Sequence, residues 1–384
     1  MEFVIQRNDL VHELQTVAGV VEKRATLPIL ANLLLEAVHD EIRVGASDLE
    51  VTIRGAAKAT VVKEGAITLP AQKLHDIARS LPEAEVKFKL LDRNMVSIQC
   101  ERTKYRIAGQ PRDDFPKFPD PDLASGIKLP AGLLRTMIER VNFAITTEDP
   151  RYSLNGALFL VQGNTVTLVA TDGHRLAFVS QKTDLKPTTG EMRLIVARKA
   201  LHQVSHLASD VPSDEPVTLG KMANQVFFAV GRHVLTSTLL EGNFPRYENV
   251  MPKTCDTVLS LATADFADAV RRVSLLGSDR HSRAVQFTLS KGKLDLSSET
   301  EMGRAEETLA LSYDGEEIAI GFNARYLLDF LTAVGTSNVT LELNPARPGD
   351  DDAARTRPGD KPGQLRPEPA GEMDYRYVVM PMQI

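Results

Sequence analysis

The chain repeats one pattern three times, and this limits what it can fold into more than any other feature. Each copy opens with a short strand that runs into apolar residues at helical spacing. The three openings are EFVIQRNDLVHELQTVAGVV (2–21), IKLPAGLLRTMIERVNFAI (127–145) and TVLSLATADFADAVRRVSLL (257–276). In the first, Leu10, Leu14, Val17 and Val21 share one helix face; in the third, Phe266, Val270 and Val273 do. A second strand and helix follow inside each copy, at AITLPAQKLHDIARSLP (66–82), MRLIVARKALHQVSHLAS (192–209) and IAIGFNARYLLDFLTAV (318–334). The helix starts, near Ala71, Ala197 and Asn323, are 126 residues apart both times. Spacing that regular implies one unit used three times. Other segments alternate with period two: EIRVGASDLEVTIRG (41–55), TVTLVATDGHRLAFVS (165–180) and KLDLSSETEMGRAEETLAL (293–311). Polar turns are expected in them at Ser47-Asp48, Thr171-Asp172 and Ser298-Glu299. Each copy therefore reads as two helices on a mostly antiparallel sheet, an α+β unit.

Proline-rich joints separate the copies, DDFPKFPDPDLASG (113–126) and NFPRYENVMPKT (243–254). They divide the chain into domains at 1–122, 127–248 and 252–384. One stretch breaks the pattern. PARPGDDDAARTRPGDKPGQLRPEPAGE (345–372) holds six of the 21 prolines and almost no large apolar residue. It cannot bury enough surface to offset its ordering entropy. A mobile hairpin insertion is expected at about 345–362, with a strand at about 363–368 rejoining the fold.

Bulk properties exclude several classes. No apolar run approaches the roughly 18 residues that cross a bilayer. The opening MEFVIQRNDL has no basic stretch followed by an apolar block, so a cytoplasmic protein is expected. Cys100 and Cys255 stand in no CxxC or Cys/His cluster, which points to reduced thiols and no zinc site. The net charge of −6 argues against a whole surface that grips nucleic acid but permits a local basic stripe. Asp172 and His174 are the residues most suggestive of acid–base chemistry. No GxSxG, GxxxxGK[ST] or HExxH accompanies them. The carboxylates at Asp48, Asp172 and Glu299 fall one to a copy, so no enzyme and no cofactor is expected.

Seven segments resemble, in order, signatures of the bacterial sliding clamps, the beta subunits of DNA polymerase III. They are TLPILANLLLEA (26–37), ASDLEV (46–51), RYSLNGALF (151–159), VATDGHRLA (169–177), EGNFPRYENVMP (241–252), IGFNARYLLDFL (320–331) and YVVMPMQI (377–384). The resemblance implies the DNA clamp fold, with three similar domains per chain and a head-to-tail ring homodimer. It implies a processivity factor that encircles duplex DNA without reading sequence and tethers polymerases, repair proteins and a clamp loader. Strong phosphate contacts would brake sliding, so a few basic residues facing the hole suffice.

Residue roles follow from the same resemblance. Arg24, Lys73, Tyr152 and Arg198 match or lie near DNA-facing positions, with Arg135, Arg140, Lys199, Arg271 and Arg272 as further basic residues on or beside the helices. A peptide groove matches Leu154, Thr171, Gly173, His174, Arg175, Leu176, Pro245, Val250, Val378, Val379, Met380, Pro381 and Met382. Leu, Val and Pro suit an apolar trough, and Met can adapt to several partners. Arg175 and His174 are expected to hold a peptide's backbone or acidic side chain. The dimer contact is expected to join Tyr105 and Ile107 to Leu275 and Leu276. Asn249, Gln383 and Ile384 depart from the residues common in the family, leaving less positive charge at the rim.

Overall fold

A computed structural model describes residues 1–22, 27–146, 150, 152–185, 190–276, 284–344 and 361–382. The first repeat contains β1 (Glu2–Gln6), α1 (Arg7–Ala18), β2 (Asn32–Val38), β3 (Glu41–Ser47), β4 (Val51–Lys58), β5 (Thr60–Lys63), β6 (Gly65–Pro70), α2 (Ala71–Ser80), β7 (Glu85–Leu90), β8 (Met95–Cys100) and β9 (Thr103–Ala108). The second contains β10 (Ile127–Pro130), α3 (Ala131–Asn142), β11 (Gly156–Gln162), β12 (Thr165–Thr171), β13 (Arg175–Lys182), β14 (Glu191–Ala197), α4 (Arg198–Ser209), β15 (Pro216–Met222), β16 (Gln225–Val230) and β17 (His233–Thr238). The third contains β18 (Thr257–Ala262), α5 (Thr263–Val273), β19 (Ala284–Ser290), β20 (Lys293–Thr300), β21 (Gly303–Ala310), β22 (Ile318–Asn323), α6 (Ala324–Ala333), β23 (Asn338–Leu343), β24 (Gly363–Glu368) and β25 (Asp374–Val379).

The repeats do not carry one sheet each. Two compact units form, 1–135 with 196–239 and 136–195 with 240–384. In the first, an eight-stranded sheet runs β10-β15-β16-β17-β4-β3-β2-β6, half from each of two consecutive repeats. A five-stranded sheet, β5-β1-β7-β8-β9, completes that unit. In the second, an eight-stranded sheet runs β14-β11-β12-β13-β25-β24-β23-β18, again half from each repeat, beside a four-stranded sheet, β21-β20-β19-β22. The joints follow one pattern: Thr52 pairs with Thr236 across β4–β17, and Leu176 with Val378 across β13–β25, both antiparallel. One isolated bridge caps an edge strand in each repeat, at Thr68–Gln110, Val196–Leu239 and Gly321–Met382.

Apolar helix faces against these sheets make the core. Leu10, Leu14 and Val17 are buried on α1, and Phe266, Val270 and Val273 on α5. Val21 is not on that face, because α1 stops at Ala18 and Val20 takes the buried place past its end. The second helices begin at Ala71, Arg198 and Ala324, so the spacings are 127 and 126 residues. The expected turn at Ser298-Glu299 is also corrected: both lie inside β20, whose Ser298 is buried opposite Ala305, and the chain reverses at Glu301 and Met302. Gly303, at φ 144°, admits that tight reversal. The strand expected at 363–368 is β24. The insertion expected at 345–362 lies outside the described residues apart from Lys361 and Pro362. Among the described residues no helix is long and apolar enough to cross a membrane.

Candidate functional site

The turn between β12 and β13 is fixed by its own side chains. Asp172 Oδ1 accepts from the backbone N–H of His174 and of Arg175, each at 3.0 Å. Thr171 Oγ1 accepts from Gly173 N at 3.1 Å and donates to Arg175 O at 2.6 Å. Gly173 takes φ 88°, a left-handed conformation that a β-branched residue would strain. Asp and Thr next to a glycine favour this turn because short polar side chains satisfy backbone donors that no strand reaches.

Beside the turn lies a cavity of about 140 Å³ lined by Leu154, Thr171, Gly173, Arg175, Leu176, Pro245, Tyr247, Val250, Val378 and Met380. Its floor belongs to a buried cluster of Leu158, Val169, Leu176, Ile195, Phe244, Tyr247 and Val378. Val250 and Met380 remain exposed at the wall, 40% and 37%. Such a trough accepts apolar side chains, and a thioether at its edge adapts to several shapes.

Most of the expected groove residues meet here, and four do not line the cavity. Val379 faces the helices with Tyr375 and Tyr377, because side chains alternate along β25 and Val378 already takes the groove face. His174 is exposed on the turn, where its carbonyl accepts from Met380 N at 2.8 Å. Pro381 and Met382 carry the chain onward to β22, where Met382 N donates to Gly321 O at 2.8 Å. Tyr247 was missed, although Phe244, Pro245 and Tyr247 stand together in a stretch that otherwise reads as a joint. Burial, with Glu248 beside it, pushes its hydroxyl pKa up, so it is neutral in the cavity.

The Arg175 guanidinium is engaged within the chain. Its Nε donates to Asp172 Oδ2 at 2.9 Å, Nη1 to Asp329 Oδ2 at 2.6 Å and Nη2 to Phe143 O at 2.6 Å. The rings of Tyr326 and Phe143 lie 4.4 and 5.5 Å from its guanidinium carbon. The residue is 8% exposed, and a charge so buried must be paired internally.

The other expected sites stand apart. Lys73 is exposed on α2 and Arg198 half-buried at the start of α4. Arg24 lies outside the described residues, as does the side chain of Tyr152. Arg140 packs on Tyr375, 4.9 Å from the ring centre, and Lys199 is tied to Val20 O and Asp48. Arg272 makes a two-pronged pair with Glu307 at 2.6 and 2.9 Å. Tyr105 and Ile107 are half-exposed on β9, and the Ser274–Leu276 turn packs against β21 with Leu275 76% exposed. Among the described residues no cluster could hold a metal ion.

Comparison with known proteins covers nearly the whole chain. Residues 1–119, 128–246 and 248–349 match the DNA polymerase III beta subunit N-terminal, central and C-terminal domains. The beta sliding clamp of Pseudomonas putida is 34% identical over 386 residues, with 100% of both chains covered. That of Escherichia coli K12 is 32% identical over 389 residues, again with full coverage of both. Among solved structures, the sliding clamp of Bartonella birtlesii bound to griselimycin superposes with a TM-score of 0.91 at 33% identity, covering all of both chains.

Proposed function

The chain belongs to the DNA polymerase III beta-subunit family of sliding clamps, that polymerase's non-catalytic processivity factor, and from that premise we propose that two copies close head to tail around duplex DNA. The observation that carries the ring is an unfinished third joint. Twice within the chain the last strand of one half-sheet, β17 or β25, pairs with the third strand of another, β4 or β13. The corresponding strands of the remaining half-sheets are β9 and β21, and both stand at an open edge. Pairing β9 of one copy with β21 of the next repeats the same joint, and two copies need two such contacts. Tyr105 and Ile107 then meet Leu275 and Leu276, which covers leucine that otherwise faces water.

On this reading the domains are 1–122, 127–248 and 252–384, and the protein works in the cytoplasm. DNA is held by enclosure, which a net charge of −6 suits because sliding needs few phosphate contacts. Arg24, Lys73, Tyr152 and Arg198 face the duplex. The groove beside Leu176 and Val378 receives apolar side chains from short segments of polymerases, the clamp loader and repair proteins. Its closed, apolar floor supports this assignment. The test is primer extension on a singly primed circular template with clamp loader, ATP and polymerase. Adding the chain lengthens the product made per polymerase binding event. A variant lacking Met380–Ile384 is expected to remain a dimer and give no lengthening; full activity in that variant would move the groove elsewhere.

A further inference from the structure

Arg175 faces two ways: it lines the groove beside Leu176, yet its guanidinium is buried and bonded on all three nitrogens. Two of those bonds stay within the second repeat, to Asp172 and to Phe143 O. The third reaches Asp329 on α6, a helix of the third repeat that contributes no side chain to the groove lining. The same helix is tied to β25, because Tyr377 Oη donates to Tyr326 O at 2.9 Å. Val378 and Met380, on and just past β25, line the groove beside it, since β25 pairs directly with β13 and Met380 N donates to His174 O at 2.8 Å. The spacing of the turn and β25 is thus set by strand pairing, and what Asp329 fixes is the Arg175 guanidinium, held toward α6 on a side chain that also lines the groove.

We propose that Asp329 is a positioning residue of the groove, holding the Arg175 guanidinium turned inward so that it stays out of the cavity; this rests on the reading of the cavity as a peptide site. Asp172 stays on Nε when Asp329 is removed, so the buried guanidinium keeps one counter-charge and the chain still folds. What is lost is the link to α6, and the guanidinium then samples positions in which it intrudes on the groove. Only the fraction of molecules with the groove clear binds tightly, so apparent affinity falls with that fraction.

The experiment uses the full-length dimer and fluorescence anisotropy with a fluorescein-labelled peptide carrying the polymerase's clamp-binding segment. Asp329→Ala and Asp329→Asn are expected to weaken binding on the order of tenfold, the usual scale of coupling between separate positions. Asp329→Glu is expected to recover most of the loss. In an Arg175→Ala background, Asp329→Ala is expected to change affinity by less than about twofold, because coupled residues are not additive. Wild-type affinity in Asp329→Ala would overturn the proposal. So would a tenfold loss that persists in the Arg175→Ala background, which would indicate general loosening. Met380→Asp separates the two levels of argument. If it binds like wild type, the groove reading fails and the proposal with it; if it abolishes binding while Asp329→Ala does not, only the role of Asp329 fails.

Discussion

Met380 and Val378 are two residues apart on the same face, yet one is 37% exposed and the other 1%. A carboxylate at 380 can stay hydrated in the free protein, so Met380→Asp is expected to change stability by no more than about 0.5 kcal/mol. A docked apolar side chain would bury that charge, and peptide affinity is expected to fall by more than about tenfold in an anisotropy titration. Unchanged affinity would mean that the peptide does not dock in this groove. Cys255 makes a different prediction. Burial pushes its thiol pKa up to about 11, with the Glu342 carboxylate adding to the shift. The thiolate is the reactive form, so iodoacetamide is expected to leave Cys255 unmodified at pH 8 in the native protein and to label it as pH approaches 11. The sign for stability follows: the folded state favours the neutral thiol. Its contribution is fully present below the unfolded value near 8.5 and is lost as pH rises through the folded value. Mass spectrometry of intact protein across that range checks the labelling, and the denaturant midpoint measured over the same range checks the stability.

At the level of elements, the caps and edges carry the tests. Asn323 Oδ1 accepts from Arg325 N at 3.0 Å and caps α6, whereas Pro70 and Ala197 precede α2 and α4 with no side-chain cap. Asn323→Ala is expected to cost about 1 kcal/mol, read as a shift in the denaturant midpoint. Ile107→Asp on β9 and Leu275→Asp beside β21 are each expected to give folded monomers in light scattering at concentrations where the wild type is a dimer. A stable dimer in both would refute the proposed joint. The helices and hairpins were legible because their spacing is local: Phe266, Val270 and Val273 announce a helix face by themselves. Val21 was misread because nothing in its spacing marks the end of α1 at Ala18. Ser298 was misread as a turn residue because a hydroxyl buried in β20 has the same sequence signature as one in a loop. The sharing of each eight-stranded sheet between repeats was not legible at all, since strand neighbours are set by packing far along the chain.

For the whole molecule, the repeats share a scaffold and differ in chemistry. At the β13–β25 joint Leu176 stands opposite Val378; at the matching place in the β4–β17 joint Thr52 stands opposite Thr236. The first pair supplies an apolar floor and the second does not; the cavity beside β4 and β17 is lined instead by Arg43, Arg54, Asp120 and Arg232 together with Phe118 and Val234, so one fold carries an apolar groove at one joint and a charged one at the other. The sequence exposed this site through the VATDGHRLA and YVVMPM stretches, but it concealed the inward turn of Arg175, because only the fold brings Asp329 to it. Enclosure also has a salt signature. A protein that holds DNA by several phosphate contacts loses roughly 10³- to 10⁵-fold in affinity between 50 and 200 mM salt, whereas retention of a closed ring on circular DNA is expected to change by less than about tenfold. The most direct test loads the protein on nicked circular DNA with a clamp loader and ATP, removes free protein, and compares retention before and after one cut linearises the circle. The ring account predicts stable retention on the circle and loss within minutes of cutting. Equal retention on the linear form would mean that the chain grips DNA directly, which contradicts a clamp held by topology.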